Sequence, residues 1–331
     1  MNFRAFLFTF EIEVKILIIR FSSIGDVVLT TPVIRCCKQQ IKNAEIHFVT
    51  KASFKSTLEH NPNVDKLITF DKDFTEALPQ LKKENYDFVI DLHNNLRSTR
   101  LKLALGKKSS TFKKLNVKKW LAVNLKSKTA LPDVHIVQRY LEAAAPLGVK
   151  DDGKGLDYFI SEKDSVDISS INADLKNGFV ALVVGGSYFT KKIPVNKLIE
   201  ICNNLKLPIV LMGGKEDSSI AEEVVSKPQN AFNICGKYSL NQSAFIIQHS
   251  SFVITSDTGL MHIAAAFGKK IFSLWGNTIP EFGMYPYKSG EGSKILEVKN
   301  LKCRPCSKLG YNKCPKGHFK CMNEIDASVI L

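Results

Sequence analysis

Short apolar runs rich in β-branched residues alternate with amphipathic segments along almost the whole chain, and this alternation limits the possible folds more than any other feature. It is typical of β-α-β units that build a parallel sheet. The predicted strands cover residues 16–20, 45–50, 66–70, 87–91, 179–184, 208–212, 232–235, 252–254 and 270–274. The predicted helices cover residues 27–41, 52–60, 75–84, 96–105, 134–147, 195–205, 217–226, 240–249 and 259–267.

The periodicity weakens in the middle of the chain, where the Gly- and charge-rich stretch VKDDGKG (149–155) is typical of a linker. A chain of 331 residues is long enough for about two domains. The sequence therefore predicts an α/β protein with two Rossmann-like domains, residues 14–160 and 161–331, and a cleft between them.

Five polar loops follow predicted strands. They read SSIGD (22–26), DLHNNLRS (91–98), GGSYFTKK (185–192), GGKED (213–217) and TSDTGLMH (255–262). Because open parallel sheets bind ligands outside the carboxyl ends of their strands, we expect these loops to line the cleft.

Two loops of the second half suit a diphosphate. Free backbone N–H groups at the helix start after Thr258 attract anions, Gly259 permits close approach, and Lys191 or Lys192 supplies a point charge. The ordinary alternative is an Asp257 N-cap, a core histidine and surface lysines. The chain lacks a G-x-G-x-x-G motif after its first strand, a G-x-x-x-x-G-K-[ST] loop and a G-x-S-x-G elbow, which disfavours dehydrogenases, P-loop kinases and α/β-hydrolases.

Asp26 is the one acid at the start of the first predicted helix. An acid in that position is ordinarily an N-cap. Its loop should face the cleft, however, and the second half offers no obvious base of its own. A role as general base is therefore the competing hypothesis.

Four stretches together resemble glycosyltransferase family 9, the ADP-heptose:lipopolysaccharide heptosyltransferases. They are ILIIRFSSIGDVVLTTPVI (16–34), DLHNNLRS (91–98), GGSYFTKKIPVNKL (185–198) and SDTGLMHIAAAFGKKIFSLWG (256–276). The resemblance extends over nearly the whole chain from Val14. It implies a GT-B fold, with the acceptor on the N-terminal domain and the nucleotide sugar on the C-terminal domain. It also implies inverting transfer from ADP-L-glycero-D-manno-heptose to a lipopolysaccharide core or lipid A precursor.

The resemblance also assigns residues. It makes Asp26 the general base and Lys191 a catalytic diphosphate contact, whereas Ile193 replaces the family's usual Trp. The candidate nucleotide-sugar site comprises Ser187, Thr190, Lys191, Glu216, Asp257, Thr258, Gly259 and His262. The candidate acceptor site comprises Ser23, Gly25, His93, Asn95 and Arg97. No suitable loop carries a DxD-like metal motif, so we expect no metal in the site and no cofactor besides the donor.

The net charge of +14 favours an anionic partner. Residues 107–128 hold eight lysines and no acid, either as a solvated face or as a patch for phosphate or anionic lipid. With the family chemistry, we expect a phosphorylated, lipid-linked saccharide acceptor and a cytoplasmic enzyme held peripherally at the inner membrane by its basic surface. The nearest alternative is another nucleotide sugar or acceptor. A nucleic-acid-binding protein leaves the loops unexplained, and the lysine run lacks interleaved aromatics, so we expect no nucleic acid partner.

The eight cysteines form two groups. We predict core thiols at Cys36, Cys37, Cys202 and Cys235. The second group has zinc-like spacing and comprises Cys303, Cys306, Cys314 and Cys321, together with His318. A structural zinc, reduced thiols and disulfides all stay open, and metal analysis would distinguish them.

The stretch MNFRAFLFTFEIE (1–13) is apolar but short, with two acids and no small-residue cleavage site, which disfavours a signal peptide. We hypothesise that translation starts at Val14 through a GTG codon. The intact mass of the natively expressed protein tests this.

Overall fold

Two parallel sheets organise the computed structural model, which describes residues 14–228 and 230–330. The strands are β1 (Val14–Ile19), β2 (Ala44–Lys51), β3 (Lys66–Phe70), β4 (Phe88–Asp91), β5 (Ser109–Thr111), β6 (Val180–Val183), β7 (Ile209–Met212), β8 (Ala231–Asn233), β9 (Phe252–Ser256), β10 (Ile271–Trp275) and β11 (Lys294–Glu297). The first sheet has the order β3-β2-β1-β4-β5 and the second β11-β10-β9-β6-β7-β8.

Helices connect successive strands. They are α1 (Ile24–Val28), α2 (Thr31–Gln40), α3 (Leu78–Lys83), α4 (Leu96–Leu105), α5 (Asn116–Asn124), α6 (Ile136–Ala144), α7 (Ile168–Ile171), α8 (Val195–Asn204), α9 (Ser218–Val225), α10 (Leu240–His249), α11 (Gly259–Ala266) and α12 (Lys320–Asn323). Among the residues that the structure describes, no helix combines the length and the apolarity needed to cross a membrane.

The central strands are apolar along their length because both faces of each sheet are covered. All four residues of β6 are buried, and so are Ile16–Ile19 of β1. In the first sheet, Ile18 pairs with Phe48 on one side and Ile90 on the other.

Each sheet has a point where its strand order reverses, between β1 and β4 in the first sheet and between β6 and β9 in the second. Crevices of doubly wound sheets form at these points. The loops after β1, β4, β6 and β9 therefore form the natural binding edge of the molecule.

The predicted α/β fold with two Rossmann-like domains and a cleft between them is confirmed. Every predicted strand exists within two residues of its expected ends. Strands β5 and β11 were not predicted, because they are short edge strands with few apolar residues. The four core thiols are buried as predicted.

Several helix predictions were wrong in detail. The helix expected over 27–41 is two helices, because the chain breaks after Val28 and restarts with Pro32 in the first turn of α2. Residues 52–57 form a 3-10 helix instead of an α-helix, and 75–84 divides into a 3-10 turn and α3. Helix α5 lies in the lysine run, where no helix was predicted.

The predicted linker is irregular backbone tied to the first domain. Arg35 of α2 pairs with Asp152 (Nε–Oδ2, 2.7 Å) and with Asp157, and its Nη2 donates to the Gly155 carbonyl at 2.9 Å. The boundary between residues 160 and 161 stays a prediction. The hypothesis about residues 1–13 lies outside the described residues.

Candidate active site

A cavity of about 560 Å³ lies between the two sheets, where the two strand-order reversals face each other. Loops from both domains line it, and α5 closes one side. The predicted site residues that line the cavity are Ser23, Gly25, Asp26, His93, Ser187, Lys191, Asp257, Thr258, Gly259 and His262.

The first turns of α1 and α11 meet at the floor of the cavity. A Cβ on Gly25 would lie 2.6 Å from Cδ2 of His262, and a Cβ on Gly259 would lie 2.8 Å from Cγ2 of Ile24. Glycine is therefore required at both positions by close approach. This contact joins the domains directly beneath the site and brings the two acidic loops together.

Asp26 is the third residue of α1, and Ser23 is its N-cap residue. The carboxylate accepts hydrogen bonds from the Ser23 hydroxyl (2.9 Å) and backbone N–H (3.3 Å), which is a capping-box arrangement. Its other oxygen pairs with Nη2 of Arg20 at 2.7 Å. The simple N-cap interpretation of Asp26 is therefore wrong, although the residue does brace the helix start.

Arg20 is buried, and protein groups engage its whole guanidinium. Nε donates to the Ser22 carbonyl (2.7 Å) and Nη1 to the Leu92 carbonyl (2.6 Å), which ties the loops after β1 and β4 together. Burial raises the pKa of the Asp26 carboxyl, but the Arg20 charge and the Ser23 hydrogen bonds outweigh burial, so the pKa is lowered. Asp26 is consequently a fixed carboxylate at neutral pH.

The loop after β4 is held by Asp91, which is fully buried. Its carboxylate accepts from the backbone N–H groups of His93 (2.9 Å) and Asn94 (2.8 Å) and from the Ser98 hydroxyl (2.9 Å), and it pairs with Lys102. This arrangement directs the chain so that His93 reaches the cavity.

His93 is a neutral imidazole in this setting. Burial lowers its pKa to about 4, with help from the positive charges of Arg20 and Lys114. Its Nδ1 is buried without a hydrogen-bond partner. The side chain lines the cavity, although this nitrogen itself is shielded from it.

On the opposite wall, Lys191 pairs with Asp257, with 2.6 Å between Nζ and Oδ2. The Thr278 hydroxyl donates to the same carboxylate at 3.2 Å. Thr258 is the N-cap of α11, and its side chain accepts from the Met261 N–H. The alternative that Asp257 is the N-cap of α11 is wrong, because its carboxylate forms an ion pair with Lys191 instead.

The two adjacent lysines have different roles. Lys191 lines the cavity, whereas Nζ of Lys192 lies 2.5 Å from Oδ1 of the buried Asp217, which lies outside the cavity lining. The local chain direction therefore favours Lys191 as the ligand-facing cation.

His262 lies between the two acidic loops. Burial lowers its pKa to about 4, although Asp257 and Asp26 both favour its charged form. The ring is buried and its Nδ1 has no hydrogen-bond partner. It is thus both a core residue, as the ordinary alternative held, and part of the cavity floor.

Four predicted site residues do not line the cavity: Thr190, Glu216, Asn95 and Arg97. Thr190 is buried and its hydroxyl accepts from the Tyr311 N–H at 2.8 Å. Glu216 is exposed beyond β7, Asn95 caps α4, and Arg97 stacks over the Phe21 ring. This geometry does not support the direct ligand contacts that we predicted for these four side chains.

Five basic side chains that line the cavity were missed in the sequence. They are Arg20, Lys114, Lys119, Arg139 and Lys308. Burial, with help from the positive charge of Arg139, lowers the pKa of Lys119 to about 8. The two carboxylates in the lining, Asp26 and Asp257, are each paired with a cation. The remaining positive charge makes the cavity suited to anionic groups.

The Cys-rich tail (residues 303–321) packs against the rest of the second domain through Arg304. This buried guanidinium pairs with Glu297 (2.7 Å) and donates to the carbonyls of Gly276 (2.6 Å) and Thr278 (3.0 Å). In the tail, Sγ of Cys303 lies 3.8 Å from Nε2 of His318. The four cysteines of the tail form no disulfide in the structure.

A tighter set of metal-type ligands occurs elsewhere, at Glu45, His47 and Glu84. Lys15 pairs with both glutamates at 3.1 Å, and Lys66 also pairs with Glu84. Because these lysines already balance the carboxylates, this cluster favours an ion-pair network over a metal site.

The chain is similar to known proteins over most of its length. The model of glycosyltransferase family 9 (heptosyltransferase) matches residues 76–312, well over half of the chain. Lipopolysaccharide heptosyltransferase 1 of Campylobacter coli is 26% identical over 322 residues, covering 87% of this chain and 92% of that protein.

Solved structures are similar in fold. A glycosyl transferase family 9 protein from Veillonella parvula has a TM-score of 0.71 at 22% identity, covering 86% of each chain. The Escherichia coli heptosyltransferase WaaC, solved with ADP, has a TM-score of 0.62 at 20% identity, covering 85% of this chain and 92% of that one.

Proposed function

The chain belongs to glycosyltransferase family 9, and from that premise we propose that it transfers heptose from ADP-L-glycero-D-manno-heptose to a lipopolysaccharide core or lipid A precursor, with inversion at the anomeric carbon. The name of the Campylobacter coli relative supports the reaction, and the ADP bound by the Escherichia coli enzyme supports the donor. One observation carries the mechanism: Asp26 of one domain and Lys191 of the other line the same cavity.

The donor diphosphate is assigned to the second-domain wall. The start of α11, with Thr258 as its N-cap, presents backbone N–H groups that attract a phosphate. Lys191 is held by Asp257 at 2.6 Å and meets the charge that builds up on the departing ADP. In this proposal no cofactor takes part, because the protein's own cations balance the diphosphate.

The base is assigned to the first-domain wall. An inverting transfer needs one group to take the proton of the attacking hydroxyl, and it forms no covalent sugar–carboxylate intermediate. Asp26 is ionised because Arg20 lowers its pKa, so it is ready to accept that proton. The hydroxyl becomes acidic enough to release the proton as its oxygen bonds to the anomeric carbon.

The acceptor is assigned to the basic side of the cavity. Lys114, Lys119, Arg139 and Lys308 surround this region, and a phosphorylated saccharide matches their charge. The enzyme then acts at the cytoplasmic face of the inner membrane on a lipid-linked acceptor. Nucleic acid is not part of this proposal.

The experiment offers the purified protein a panel of nucleotide sugars with a deep-rough lipopolysaccharide acceptor and follows release of the nucleotide. We expect release of ADP from ADP-heptose only when acceptor is present, and a product with the inverted anomeric configuration. Faster turnover of another nucleotide sugar would contradict the assignment of ADP-heptose as donor. It would favour the alternative, a glycosyltransferase of the same fold that uses a different nucleotide sugar.

A further inference from the structure

Helix α5 carries an apolar surface beside the mouth of the cavity. Val117 is 72% exposed and Trp120 57%, and Leu125, just after the helix, is 64% exposed. Across from them, the Cys-rich tail exposes Leu309 and Tyr311. We name these five side chains the mouth surface. They are half of the ten large apolar side chains exposed among the described residues, and such clustering marks an interaction site.

A groove of about 670 Å³ runs between α5 and the tail within this surface. Val117, Trp120 and Tyr311 give it an apolar lining. Its other lining residues include Lys119 and Lys308, which also line the active-site cavity. The groove therefore adjoins the cavity and shares these lining residues with it.

The two sides of the groove belong to different domains and are joined. Nζ of Lys126, just beyond α5, donates to the carbonyls of Pro305 (2.7 Å) and Cys303 (3.3 Å) in the tail. Lys128 reaches Glu281 of the second domain at 3.2 Å. These contacts hold the apolar side chains in one surface at the cavity mouth.

The positive charge around the mouth surface favours an anionic partner. The lysine run that contains α5 has no acid over residues 107–128, and Lys308 adds a cation from the tail. A helix that combines exposed apolar side chains, a tryptophan and many lysines suits the headgroup region of an anionic bilayer. Lysines contact lipid phosphates there while apolar side chains enter below them.

We propose that the mouth surface docks on an anionic lipid bilayer, with Val117, Trp120 and Leu125 inserted at headgroup depth. The cavity mouth then faces the membrane, so that the saccharide of a lipid-linked acceptor enters the cavity while its lipid stays in the bilayer. The benefit to catalysis rests on the proposed function, whereas the docking itself does not.

Vesicle binding tests the proposal with the full chain. Vesicles of phosphatidylcholine with 30 mol% phosphatidylglycerol should bind the protein, and vesicles of pure phosphatidylcholine should bind it at least tenfold more weakly. Trp275 is buried, so a blue shift of tryptophan emission on binding reports Trp120 entering the interface.

The variant Val117→Ser/Trp120→Ser should lose vesicle affinity at least tenfold while keeping ADP affinity, which checks its fold. The matched control is Leu96→Ser/Leu103→Ser on α4, which removes two even more exposed apolar side chains away from the groove and should change affinity less than twofold. Unchanged binding by the first variant, or equal loss in both, would overturn the proposal. A change in oligomeric state in place of vesicle binding would assign the surface to a second copy and also overturn it.

A water-soluble, deacylated acceptor separates this proposal from the proposed function. The mouth-surface variant should turn over that acceptor at the wild-type rate and lose activity only on acceptor embedded in vesicles. If wild-type protein transfers no heptose to either acceptor but still binds anionic vesicles through the mouth surface, the proposed function fails and the docking surface stands.

Discussion

At the scale of single residues, the site is a set of paired charges. Asp26 is held by Arg20 and Asp257 by Lys191, and each pair belongs to one domain. Asp26 is thereby kept ionised, and both carboxylates are oriented before any ligand arrives. Burial keeps the imidazoles of His93 and His262 neutral by lowering both pKa values to about 4.

The Arg20–Asp26 pair predicts a pH effect. A general base must be deprotonated, so the acid limb of the kcat/KM profile follows the Asp26 pKa, which Arg20 lowers. Arg20→Gln removes that charge, the pKa rises, and the acid limb should move up by about 1–3 pH units. Arg97→Gln is the control, because Arg97 stacks on Phe21. An acid limb that stays in place in Arg20→Gln would contradict the assignment of the base.

Replacing each of the two adjacent lysines should cause a different loss, of ADP affinity at Lys191 and of stability at Lys192. Lys191→Ala removes a charged contact to the diphosphate and should weaken ADP binding about 10- to 100-fold. Lys192→Ala instead leaves the buried Asp217 without its cation and should lower stability by about 1–3 kcal/mol, with ADP affinity kept. Calorimetry and thermal unfolding of both variants measure this. The opposite pattern would move the phosphate contact to Lys192.

At the scale of elements, the contact between α1 and α11 sets the distance between the two loops that carry the acids. Both helices begin with residues that permit close approach, Gly25 in the first turn of α1 and Gly259 in the first position of α11. Their backbones therefore come as close as the absence of a Cβ allows. We therefore expect the geometry of the site to depend on this contact between the domains.

Gly25→Ala tests that dependence. The added Cβ would lie 2.6 Å from the His262 ring, and His262 is packed too tightly to move freely. We expect a loss of about 1–3 kcal/mol in the free energy of unfolding and a larger proportional loss of turnover than of ADP affinity. Gly186→Ala is the stability control, because its added Cβ would come no closer than 3.3 Å to its nearest neighbour, the Lys192 side chain. Wild-type stability and turnover in Gly25→Ala would show that the helices do not need this contact.

The sequence predicts elements well where burial is continuous. Strands such as β1 and β6 are apolar at every core position, so their runs stand out from the flanking loops. It fails for β5, whose polar residues pair only at a sheet edge, and for α5, whose Val117 and Trp120 face the solvent. Neither element has the continuous run of buried apolar residues on which the prediction depends.

At the scale of the whole molecule, the site exists only where the two domains meet. The loops with Asp26 and Lys191 could be predicted because each follows a strand within its own domain. The cations Lys119 and Lys308 could not be predicted, because one comes from the unpredicted α5 and the other from the Cys-rich tail. Long-range packing alone brings them together.

Long-range packing also explains why a predicted site residue can lie outside the cavity lining. Thr190, for example, is one residue before Lys191 in the sequence, yet its hydroxyl turns to the tail and meets Tyr311. A loop motif therefore predicts which segment reaches the cleft more reliably than it predicts which side chain points into it. The Cys-rich tail therefore supports the site indirectly, because Tyr311 holds the loop that carries Lys191.

The central claim is that one reaction joins a base from the first domain to a phosphate site in the second. The most direct measurement compares Asp26→Asn with wild-type protein for kcat of heptosyl transfer and for ADP affinity. Asparagine keeps an acceptor for the Ser23 hydrogen bonds but takes no proton, so kcat should fall about 10²- to 10⁴-fold while ADP affinity stays within about twofold. Turnover at the wild-type rate, or an equal loss of ADP binding, would contradict the account.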